Sequence, residues 1–489
     1  MRLRLLLALV AATLAGCLPA YDVSDDAGAS AEGGGETGAD AGGDGTTQGD
    51  ATTDAPNGPD ATTEAGGDTG ALAFPLVDTL GGGFRHTCVL RDGGTIDCWG
   101  DDSDYQLGRG PASYDGTESN PAPVFGVHDA GVTTNALELH VGGYYSCILL
   151  ADANDDAGAT PYCWGDNGAG ELGTNGSSAW APVPVLSAVT MEPLTGVVRL
   201  DTGIWAACAL GNDGTWYCWG NNGPAPLVAG TVSPVLYTAT PIPKLAGATR
   251  VTVGSGHTCS IDAQGAVSCL GDNDHRQAGQ ATSTAECTFD NEDAGVPCIA
   301  DLAPVSGIAG AKQLALGILS SCALVDDGGV LCWGSNAAGE LGTWDGGGAG
   351  ATCPAPDPPT PDAQAPCTEI PRMIPLPLPA VQITGAEDPD GVGASYCALL
   401  TDGRVFCWGS NDDGQLAIGN ADQGIHQVPG PVLNGQGTPV TGVVELTSGT
   451  QHKCALLGDG GVLCWGTADG DGALGSDAGA EYYALPVQW

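Results

Sequence analysis

One motif recurs seven times in this 489-residue chain: a cysteine, a turn rich in Asp and Gly, and a second cysteine that Trp-Gly usually follows. The first copy, CVLRDGGTIDCWG, places Cys88 ten residues before Cys98. A motif repeated this often predicts a repeat architecture, in which each copy builds one structural unit that packs on its neighbours. Function is then expected in the segments that differ between copies.

The chain has nineteen cysteines, and eighteen of them form nine pairs of sequence neighbours. Because Cys-x-x-Cys is absent from the sequence and His is scarce, disulfides are favoured over metal ligation. Six pairs have ten-residue spacing: Cys88 with Cys98, Cys208 with Cys218, Cys259 with Cys269, Cys322 with Cys332, Cys397 with Cys407, and Cys454 with Cys464. A seventh pair, Cys147 with Cys163, belongs to a copy with six extra residues in its turn. Two further pairs lie outside the repeat, Cys287 with Cys298 and Cys353 with Cys367.

The spacing within one copy predicts a β-hairpin. In CALGNDGTWYC, symmetry about Asp213 pairs Cys208 with Cys218 and Leu210 with Trp216. Asn212-Asp213-Gly214 is then a three-residue loop in which the glycine supplies a positive φ. Cysteines that lie opposite each other in antiparallel strands are within reach of a disulfide.

Two more strands are expected upstream of each hairpin. An apolar residue such as Leu80 lies three residues before a glycine, here Gly83, and the glycine lies five residues before the first cysteine. Segments that contain Pro, such as APVPVL and TPIPKL, come earlier still. They suit an edge strand, because Pro cannot donate a hydrogen bond to a neighbouring strand. Each unit is therefore predicted to have four strands.

The loop after the hairpin follows the pattern Trp-Gly-x-Asn-x-x-Gly-x-Leu-Gly, as in WGDNGAGELG at residues 164–173. Together with Gly-x-x-His-x-Cys-x-Leu and Asp-Gly, this pattern resembles the repeat of the regulator of chromosome condensation family. The resemblance covers residues 73–489 and implies an all-β fold, a seven-bladed β-propeller. The last residues, Tyr483–Trp489, have the form of the Pro-containing strand, so the N- and C-terminal strands are expected to close the ring within one sheet.

The first seventeen residues, MRLRLLLALVAATLAGC, predict an export signal, because Arg2 and Arg4 precede an apolar run. The end of this run, Leu14-Ala15-Gly16-Cys17, resembles the lipobox of bacterial lipoproteins. Cys17 is also the cysteine that the nine pairs leave over, so we predict that it carries the lipid. The alternative is an ordinary signal peptide with an unrelated cysteine at its end.

Residues 18–72 contain twelve acidic residues, no Lys or Arg, and few large apolar side chains. Such a segment cannot bury enough surface to fold, so we predict a disordered tether between the lipid and the propeller. Several acyl chains would hold the protein stably on a membrane. Leu18 rather than Asp after the modified cysteine favours the outer membrane of a bacterial cell envelope.

Charge argues against some partners. Removal of residues 1–17 would leave 11 Lys and Arg against 58 Asp and Glu, a formal charge of −47. Phosphate backbones would repel such a chain, so no nucleic acid partner is expected. The guanine-nucleotide exchange known in the resembled family requires a GTPase inside the cell, whereas this chain is expected to be exported, so that activity is not expected either.

No catalytic or metal-binding motif accompanies the repeat. His86, His257 and His452 occupy a position that is Ala206 in another copy, so they are interpreted as packing residues. Acidic clusters such as residues 152–156 lack the order of an EF-hand, and solvated surface is the favoured interpretation. Neither a metal nor a cofactor is expected.

Two connections differ from all others and are the candidate binding loops. ECTFDNEDAGVPC (Glu286–Cys298) and CPAPDPPTPDAQAPC (Cys353–Cys367) follow successive repeats, and each has its own cysteine pair. A disulfide and prolines stiffen a loop, and a stiff loop loses less freedom on binding; rigidified surface insertion is the alternative. The candidate contact residues are Glu286, Phe289, Asp290, Glu292, Asp357 and Asp362.

These observations together predict a non-catalytic, monomeric scaffold that binds another macromolecule, with a protein as the expected partner. Two alternatives stay open at this point. One is an extracytoplasmic enzyme, for example one that acts on polysaccharide through paired carboxylates. The other is an inhibitor of secreted enzymes.

Overall fold

The computed structural model describes residues 79–111, 116–126, 133, 135–151, 158–222, 235–287, 296–343, 351–354, 364–386, 394–422, 424–467, 472–476 and 480–488. Cys17 and the predicted signal and tether lie outside these residues. Regular structure in the described ranges consists of β-strands and one short 3-10 helix, Pro243–Leu245. Within them no helix is long and apolar enough to cross a membrane.

Each of the seven repeats supplies four antiparallel strands that pair in chain order, as first, second, third and fourth. The first strands are β1 (Leu80–Gly82), β5 (Ala136–Val141), β9 (Val197–Thr202), β13 (Ala248–Val253), β18 (Ala311–Leu316), β23 (Ala380–Ala386) and β27 (Val443–Ser448). The second strands are β2 (His86–Leu90), β6 (Tyr145–Ala151), β10 (Ala206–Gly211), β14 (His257–Asp262), β19 (Ser320–Val325), β24 (Ser395–Leu400) and β28 (His452–Leu457).

The third strands end with the Cys-Trp-Gly segment or shortly after it. They are β3 (Ile96–Asp101), β7 (Ala159–Gly165), β11 (Trp216–Asn221), β15 (Val267–Asp272), β20 (Val330–Ser335), β25 (Val405–Gly409) and β29 (Val462–Thr467). The fourth strands are β4 (Thr117–Pro123), β8 (Ala179–Pro184), β12 (Val235–Pro241), β17 (Val296–Pro304), β22 (Gln364–Met373), β26 (His426–Pro431) and β30 (Ala480–Pro486). Repeats 4 and 5 add a fifth strand each, β16 (Ala285–Cys287) and β21 (Ala351–Pro354).

The strands form six sheets. Five of them correspond to one repeat each, and the sixth holds the eight strands of repeats 2 and 3, which a single pair, Ala159 with Val197, connects. The all-β fold class is confirmed, whereas the figure of seven blades stays a prediction.

The hairpin at the centre of each repeat has the predicted register. Cys208 pairs with Cys218 and Leu210 with Trp216. The backbone N–H of Gly211 donates to the carbonyl of Thr215 at 2.8 Å, and Gly214 has a φ of +81°. The short loop therefore forms where the symmetry of the sequence places it.

All nine predicted disulfides are present. The seven in the repeats hold their Cα atoms 4.1 or 4.2 Å apart, as expected for residues that lie directly opposite in antiparallel strands. They join Cys88 with Cys98, Cys147 with Cys163, Cys208 with Cys218, Cys259 with Cys269, Cys322 with Cys332, Cys397 with Cys407, and Cys454 with Cys464. The other two join Cys287 with Cys298 and Cys353 with Cys367. These sulfur atoms are structural.

The glycine after each tryptophan is required by the backbone. The register between third and fourth strands shifts between Cys98 and Gly100, whose partners Ala122 and Glu118 are four residues apart, so the fourth strand bulges opposite Trp99. Gly100 has a φ of +117°, and a Cβ there would lie 2.3 Å from the carbonyl oxygen of Arg85. A side chain is therefore excluded at this position.

The position of the Pro-containing strand differs from the prediction. It pairs with the hairpin that precedes it in the chain, as β8 pairs with β7, and not with the hairpin that follows. The last strand, β30, accordingly completes the sheet of repeat 7, while β4 completes the sheet that begins with β1. The prediction that N- and C-terminal strands share a sheet is wrong, because each third strand already pairs with a fourth strand from the chain that follows it.

The apolar core lies between neighbouring sheets. Val330 of repeat 5, for example, packs in one cluster with Ile383 and Tyr396 of repeat 6. A buried tryptophan also crosses most junctions, because its indole N–H donates to a backbone carbonyl in the loop of the preceding repeat. These bonds join Trp164 to Gln106 (2.9 Å), Trp219 to Glu171 (2.8 Å), Trp333 to Gln277 (2.9 Å), Trp408 to Glu340 (2.9 Å) and Trp465 to Gln415 (2.8 Å).

Contacts of the same kind close the ring between repeats 7 and 1. Trp99 donates its indole N–H to the carbonyl of Ala473 at 3.0 Å. The carboxylate of Glu445 accepts the backbone N–H of Thr79 at 2.8 Å. The first and last sheets therefore meet through side chains and not through a shared strand.

Candidate binding surface on the loop face

One end of the sheets gathers the segments that vary between repeats. His86 pairs with Gly100, so the turn before the second strand and the loop after the third strand lie at the same end of the sheet. The same register holds in the other repeats, for example between Ser320 and Gly334. We call this end the loop face; the Asp-Gly turns of the hairpins lie at the opposite end.

The two candidate loops are built as disulfide hairpins on the loop face of adjacent sheets. In repeat 4, β16 pairs with the beginning of β17, where Cys298 lies opposite Asp272 at the end of β15. In repeat 5, β21 pairs with the beginning of β22, where Cys367 lies opposite Ser335 at the end of β20. Their disulfides, Cys287–Cys298 and Cys353–Cys367, hold Cα atoms 5.7 and 5.8 Å apart. We call these the first and second disulfide hairpins.

The loop of repeat 4, residues 272–277, lies between the two hairpins and contacts both. The backbone N–H of Asn273 donates to the carbonyl of Pro297 in the first hairpin at 3.1 Å. The Nε2 atom of His275 lies 2.7 Å from the carbonyl oxygen of Pro354 in the second hairpin. Arg276 forms an ion pair with Glu369 of β22. The structure thus brings together the two segments that the sequence proposed as neighbours.

Local backbone bonds hold this loop in place. Gln277 accepts the N–H of His275 on its side-chain oxygen at 2.9 Å, and its own carbonyl accepts the indole N–H of Trp333. Arg276 has a φ of +66°, whereas the equivalent position of repeat 5 is Gly339. A left-handed conformation is costly for a residue with a side chain, and repeat 1 has the same departure at Tyr105, whose φ is +65°.

The loop is also electrostatically unusual. Burial would lower the pKa of His275, but its hydrogen bond with Asp274 and the charge of that carboxylate raise it. Burial would likewise raise the pKa of Asp274, and its bond with His275 lowers it. Burial and the nearby Asp274 raise the pKa of Asp272 well above its usual range. The loop therefore places a carboxyl with a raised pKa, Asp272, beside the Asp274–His275 ion pair.

Of the six predicted contact residues, Glu286 is described: it lies exposed in β16, opposite Pro297. The remaining predicted contact residues, Phe289, Asp290, Glu292, Asp357 and Asp362, lie outside the described residues. Sequence reasoning did not select His275 and Arg276. The available signal was the segment CLGDNDHRQAG, in which His-Arg replaces the Ala-Gly of repeats 2 and 5.

A second feature of the loop face is an aromatic cluster on repeats 1 to 3. The ring of Tyr144 lies 4.7 Å from that of Phe84 and 5.7 Å from that of Trp205. Burial, together with the charges of Asp166 and Asp101, raises the pKa of the adjacent Asp104 to about 6. The cluster rigidifies the turns before the second strands, where sequence reasoning placed no feature.

The three histidines of the repeat are structural. His86 and His257 hydrogen bond through Nε2 to serine hydroxyls of the next repeat, at 2.9 and 2.7 Å. His452 does the same with Thr87 at 2.9 Å. Burial lowers the pKa of each to about 3, so the rings are neutral. In the described part of the chain, no three His, Cys, Asp or Glu side chains are grouped to hold a metal ion.

Comparison with known proteins agrees with this geometry. Residues 77–106, 311–340 and 394–415 match the family model "Regulator of chromosome condensation (RCC1) repeat". The structure of Prp20p from Saccharomyces cerevisiae superimposes with a TM-score of 0.57 at 18% identity, over 85% of this chain and 87% of that one. Yeast RCC1 (Prp20) bound to Kap60 gives a TM-score of 0.58 at 17% identity, over 88% and 91%. The chain is a β-propeller of RCC1-type repeats.

Sequence relatives of this RCC1-type propeller are distant. The human regulator of chromosome condensation is 29% identical over 119 residues, which are 24% of this chain and 26% of that protein. The protein pim1 of Schizosaccharomyces pombe is 26% identical over 380 residues, 72% of this chain and 62% of its own length. The chain thus spans about a quarter of the human relative that it matches.

Proposed function

We propose that this RCC1-type propeller is a non-catalytic scaffold that binds another protein through its two disulfide hairpins. The observation that supports the proposal is the bridge between them: loop 272–277 bonds to Pro297 of one hairpin and to Pro354 of the other. Two stiff segments on adjacent sheets therefore form one preorganised surface. Preorganisation favours binding because less conformational entropy is lost on association.

The charge of the hairpins suggests the chemistry of the partner. Residues 286–298 contain four acidic side chains and residues 353–367 contain two, and neither segment has Lys or Arg. A partner with a basic patch would be steered to this surface and held in register. Among proteins of similar fold, yeast Prp20p has been studied for its binding to Gsp1p and histones, so protein partners have a precedent on this scaffold.

Export and lipid attachment at Cys17 belong to the same proposal. The lipobox-like sequence and the acidic residues 18–72 support a surface-anchored propeller held away from the membrane. Labelling of cells with a fatty acid tests this part. Incorporation into the wild-type chain and its loss in Cys17→Ala is the expected result, whereas label retained by the variant would contradict lipidation at this residue.

The binding surface is tested by crosslinking capture from intact cells. In one variant, residues 288–295 and 355–363 are each replaced by Gly-Asn, which keeps both disulfides. The chain offers a matched control in residues 152–157, a similarly acidic stretch of the sequence that connects β6 to β7. The ends of these two strands that it connects, Ala151 and Ala159, pair at the end of the sheet opposite the loop face. We expect the first variant to lose the captured protein and the control variant to retain it.

Two results would overturn this assignment. Capture that survives in the hairpin variant would place the site elsewhere, and capture lost in the control would place it on the opposite end. Turnover of cell-envelope polysaccharide by the purified chain, measured as released reducing ends, would contradict the non-catalytic part and favour the enzyme alternative.

A further inference from the structure

The loop of repeat 4 has charged groups at two positions that are small residues in repeat 5. His275 and Arg276 correspond to Ala338 and Gly339. Both side chains extend to the second disulfide hairpin: His275 reaches the carbonyl of Pro354, and Arg276 reaches Glu369. This pair of contacts therefore attaches the hairpin of one repeat to the loop of the previous one.

We propose that His275, in its imidazolium form, is a positioning residue that fixes the second disulfide hairpin beside the first, so that pH controls presentation of the two-hairpin surface. The proposal rests on the proposed function for what the surface binds. The attachment itself is a property of the chain that is measurable without a partner.

The geometry around the ring requires two protons. The side chain of His275 is 7% exposed, so water does not satisfy its nitrogens. Its Nδ1 atom bonds to the carboxylate of Asp274, and its Nε2 atom faces the carbonyl oxygen of Pro354 at 2.7 Å. Both partners accept hydrogen bonds, and a neutral imidazole donates from one nitrogen only. The ring makes both bonds only as an imidazolium.

The groups around His275 favour that charged form. The carboxylate of Asp274 faces it from its own loop and has the largest favourable effect, and Asp272 has a smaller one. Glu340 faces it from repeat 5, and burial raises the pKa of that carboxyl to about 7. The adjacent cation, Arg276, is paired with Glu369. The hydrogen bond to Asp274 and the charge of that carboxylate outweigh the effect of burial, so the pKa of His275 is raised from its usual value.

The direction of the pH dependence follows from this shift. A histidine whose pKa is higher in the folded state stabilises that state fully below its unfolded pKa, and the contribution is lost as pH rises through the folded pKa. After deprotonation the remaining proton stays on Nδ1, because Asp274 is the stronger acceptor. The lone pair on Nε2 then faces the carbonyl oxygen of Pro354, and the hairpin is released. Attachment is thus complete below the usual pKa of histidine and is lost as the pH rises through the raised pKa of His275.

Hydrogen exchange of residues 351–373 in the full chain tests the proposal, measured from pH 5.5 to 8.5 and corrected for intrinsic rates. In the wild type we expect protection to fall about tenfold as pH rises, since a bond to a charged donor is lost. In His275→Gln, protection should be low throughout and show no step. His426→Gln is the matched control, because His426 bonds to Asp422 at 2.8 Å in repeat 6 and should leave the step unchanged.

A second measurement keeps the test independent of variant stability. The NMR signals of the His275 ring are assigned as those that disappear in His275→Gln. In the wild type these signals should titrate above pH 6.5. A wild type without the step, a step that persists in His275→Gln, or a ring that titrates at or below pH 6.5 would each overturn the proposal. None of these results bears on partner capture, so failure of the pH device and failure of the binding function are distinguishable.

Discussion

The junctions between repeats 4 and 5 and between repeats 5 and 6 share one framework. In each, a buried tryptophan donates its indole N–H to the preceding loop at 2.9 Å, from Trp333 to Gln277 and from Trp408 to Glu340. The residue that supplies the carbonyl also accepts a backbone N–H of its own loop through its side chain. The internal bonds of the ring are therefore nearly the same at both junctions.

The two junctions differ on the loop face. At the junction of repeats 5 and 6, Gly339 lets the next fourth strand approach, because a Cβ there would lie 2.9 Å from Ile425 and Gln427. At the junction of repeats 4 and 5, Arg276 occupies this position and pairs with Glu369 of the next fourth strand. The repeat motif thus specifies the framework of both junctions, and the departure at Arg276 adds a contact between neighbouring repeats that the motif does not contain.

The largest expected effect comes from removal of the shared tryptophan. Trp333→Ala and Trp408→Ala should each lower the free energy of unfolding by about 3–5 kcal/mol, because a fully buried ring and its hydrogen bond are lost. Urea unfolding measures the losses, and Trp180→Ala is the control, since this side chain is 44% exposed. Clearly unequal losses for Trp333 and Trp408 would mean that the two frameworks are not equivalent.

Removal of a disulfide should have a larger effect on stability in the repeat framework than in the second disulfide hairpin. Replacing Cys322 and Cys332 by Ala should lower the free energy of unfolding by about 2–4 kcal/mol. Replacing Cys353 and Cys367 by Ala should change the free energy of unfolding by less than about 1 kcal/mol. Without its disulfide this hairpin can open while the rest of the protein stays folded, so the folded state gains nearly as much chain entropy as the unfolded state does. Hydrogen exchange of residues 351–367 should nevertheless rise. An equal loss of global stability in both variants would contradict a peripheral hairpin.

The pH dependence of stability should also distinguish the junction of repeats 4 and 5 from the junction of repeats 5 and 6. Burial raises the pKa of Glu340 to about 7, so the folded chain holds a proton that the unfolded chain releases near pH 4.5. Stability therefore falls as pH rises from about 4.5 to 7, by up to about 3 kcal/mol. Glu340→Gln should remove this fall, and the reciprocal Gln277→Glu should introduce one at the other junction. Melting temperatures at pH 5 and pH 8 measure both; a variant pair without opposite pH trends would contradict the assignment.

Much of the fold follows from local sequence because its decisive contacts are local. The hairpin that joins Cys208 to Cys218 is specified by eleven residues, which contain both strands and the turn. The fourth strand was assigned to the wrong hairpin, because its partner depends on the path of the chain and Pro marks only an edge. Lys453 shows the same limit: its charge suggests a surface position, yet it is fully buried between repeats 6 and 7.

The sequence predicts the candidate site as a pair of neighbouring loops. It does not predict the contacts of loop 272–277 that connect them. The contact between His275 and Pro354 joins residues 79 positions apart, and the contact between Arg276 and Glu369 joins residues 93 positions apart. No local pattern relates such residues. The left-handed backbone of Arg276 is likewise visible in sequence only as an arginine where repeats 2, 5 and 6 have glycine.

The smallest effect on stability is expected when the residues at the equivalent positions 276 and 339 are exchanged. Arg276→Gly relieves a strained backbone, worth about 1–2 kcal/mol, and loses a partly exposed ion pair worth about 0.2–1 kcal/mol, so stability should stay within about 1 kcal/mol of the wild type. The reciprocal Gly339→Arg adds strain and meets Gln427 and Ile425 without a carboxylate partner, so it should destabilise by about 1–3 kcal/mol. Thermal unfolding of both variants measures this asymmetry. If Arg276→Gly were the more destabilising of the two, the arginine would belong to the ring framework and not to the attachment of the second hairpin.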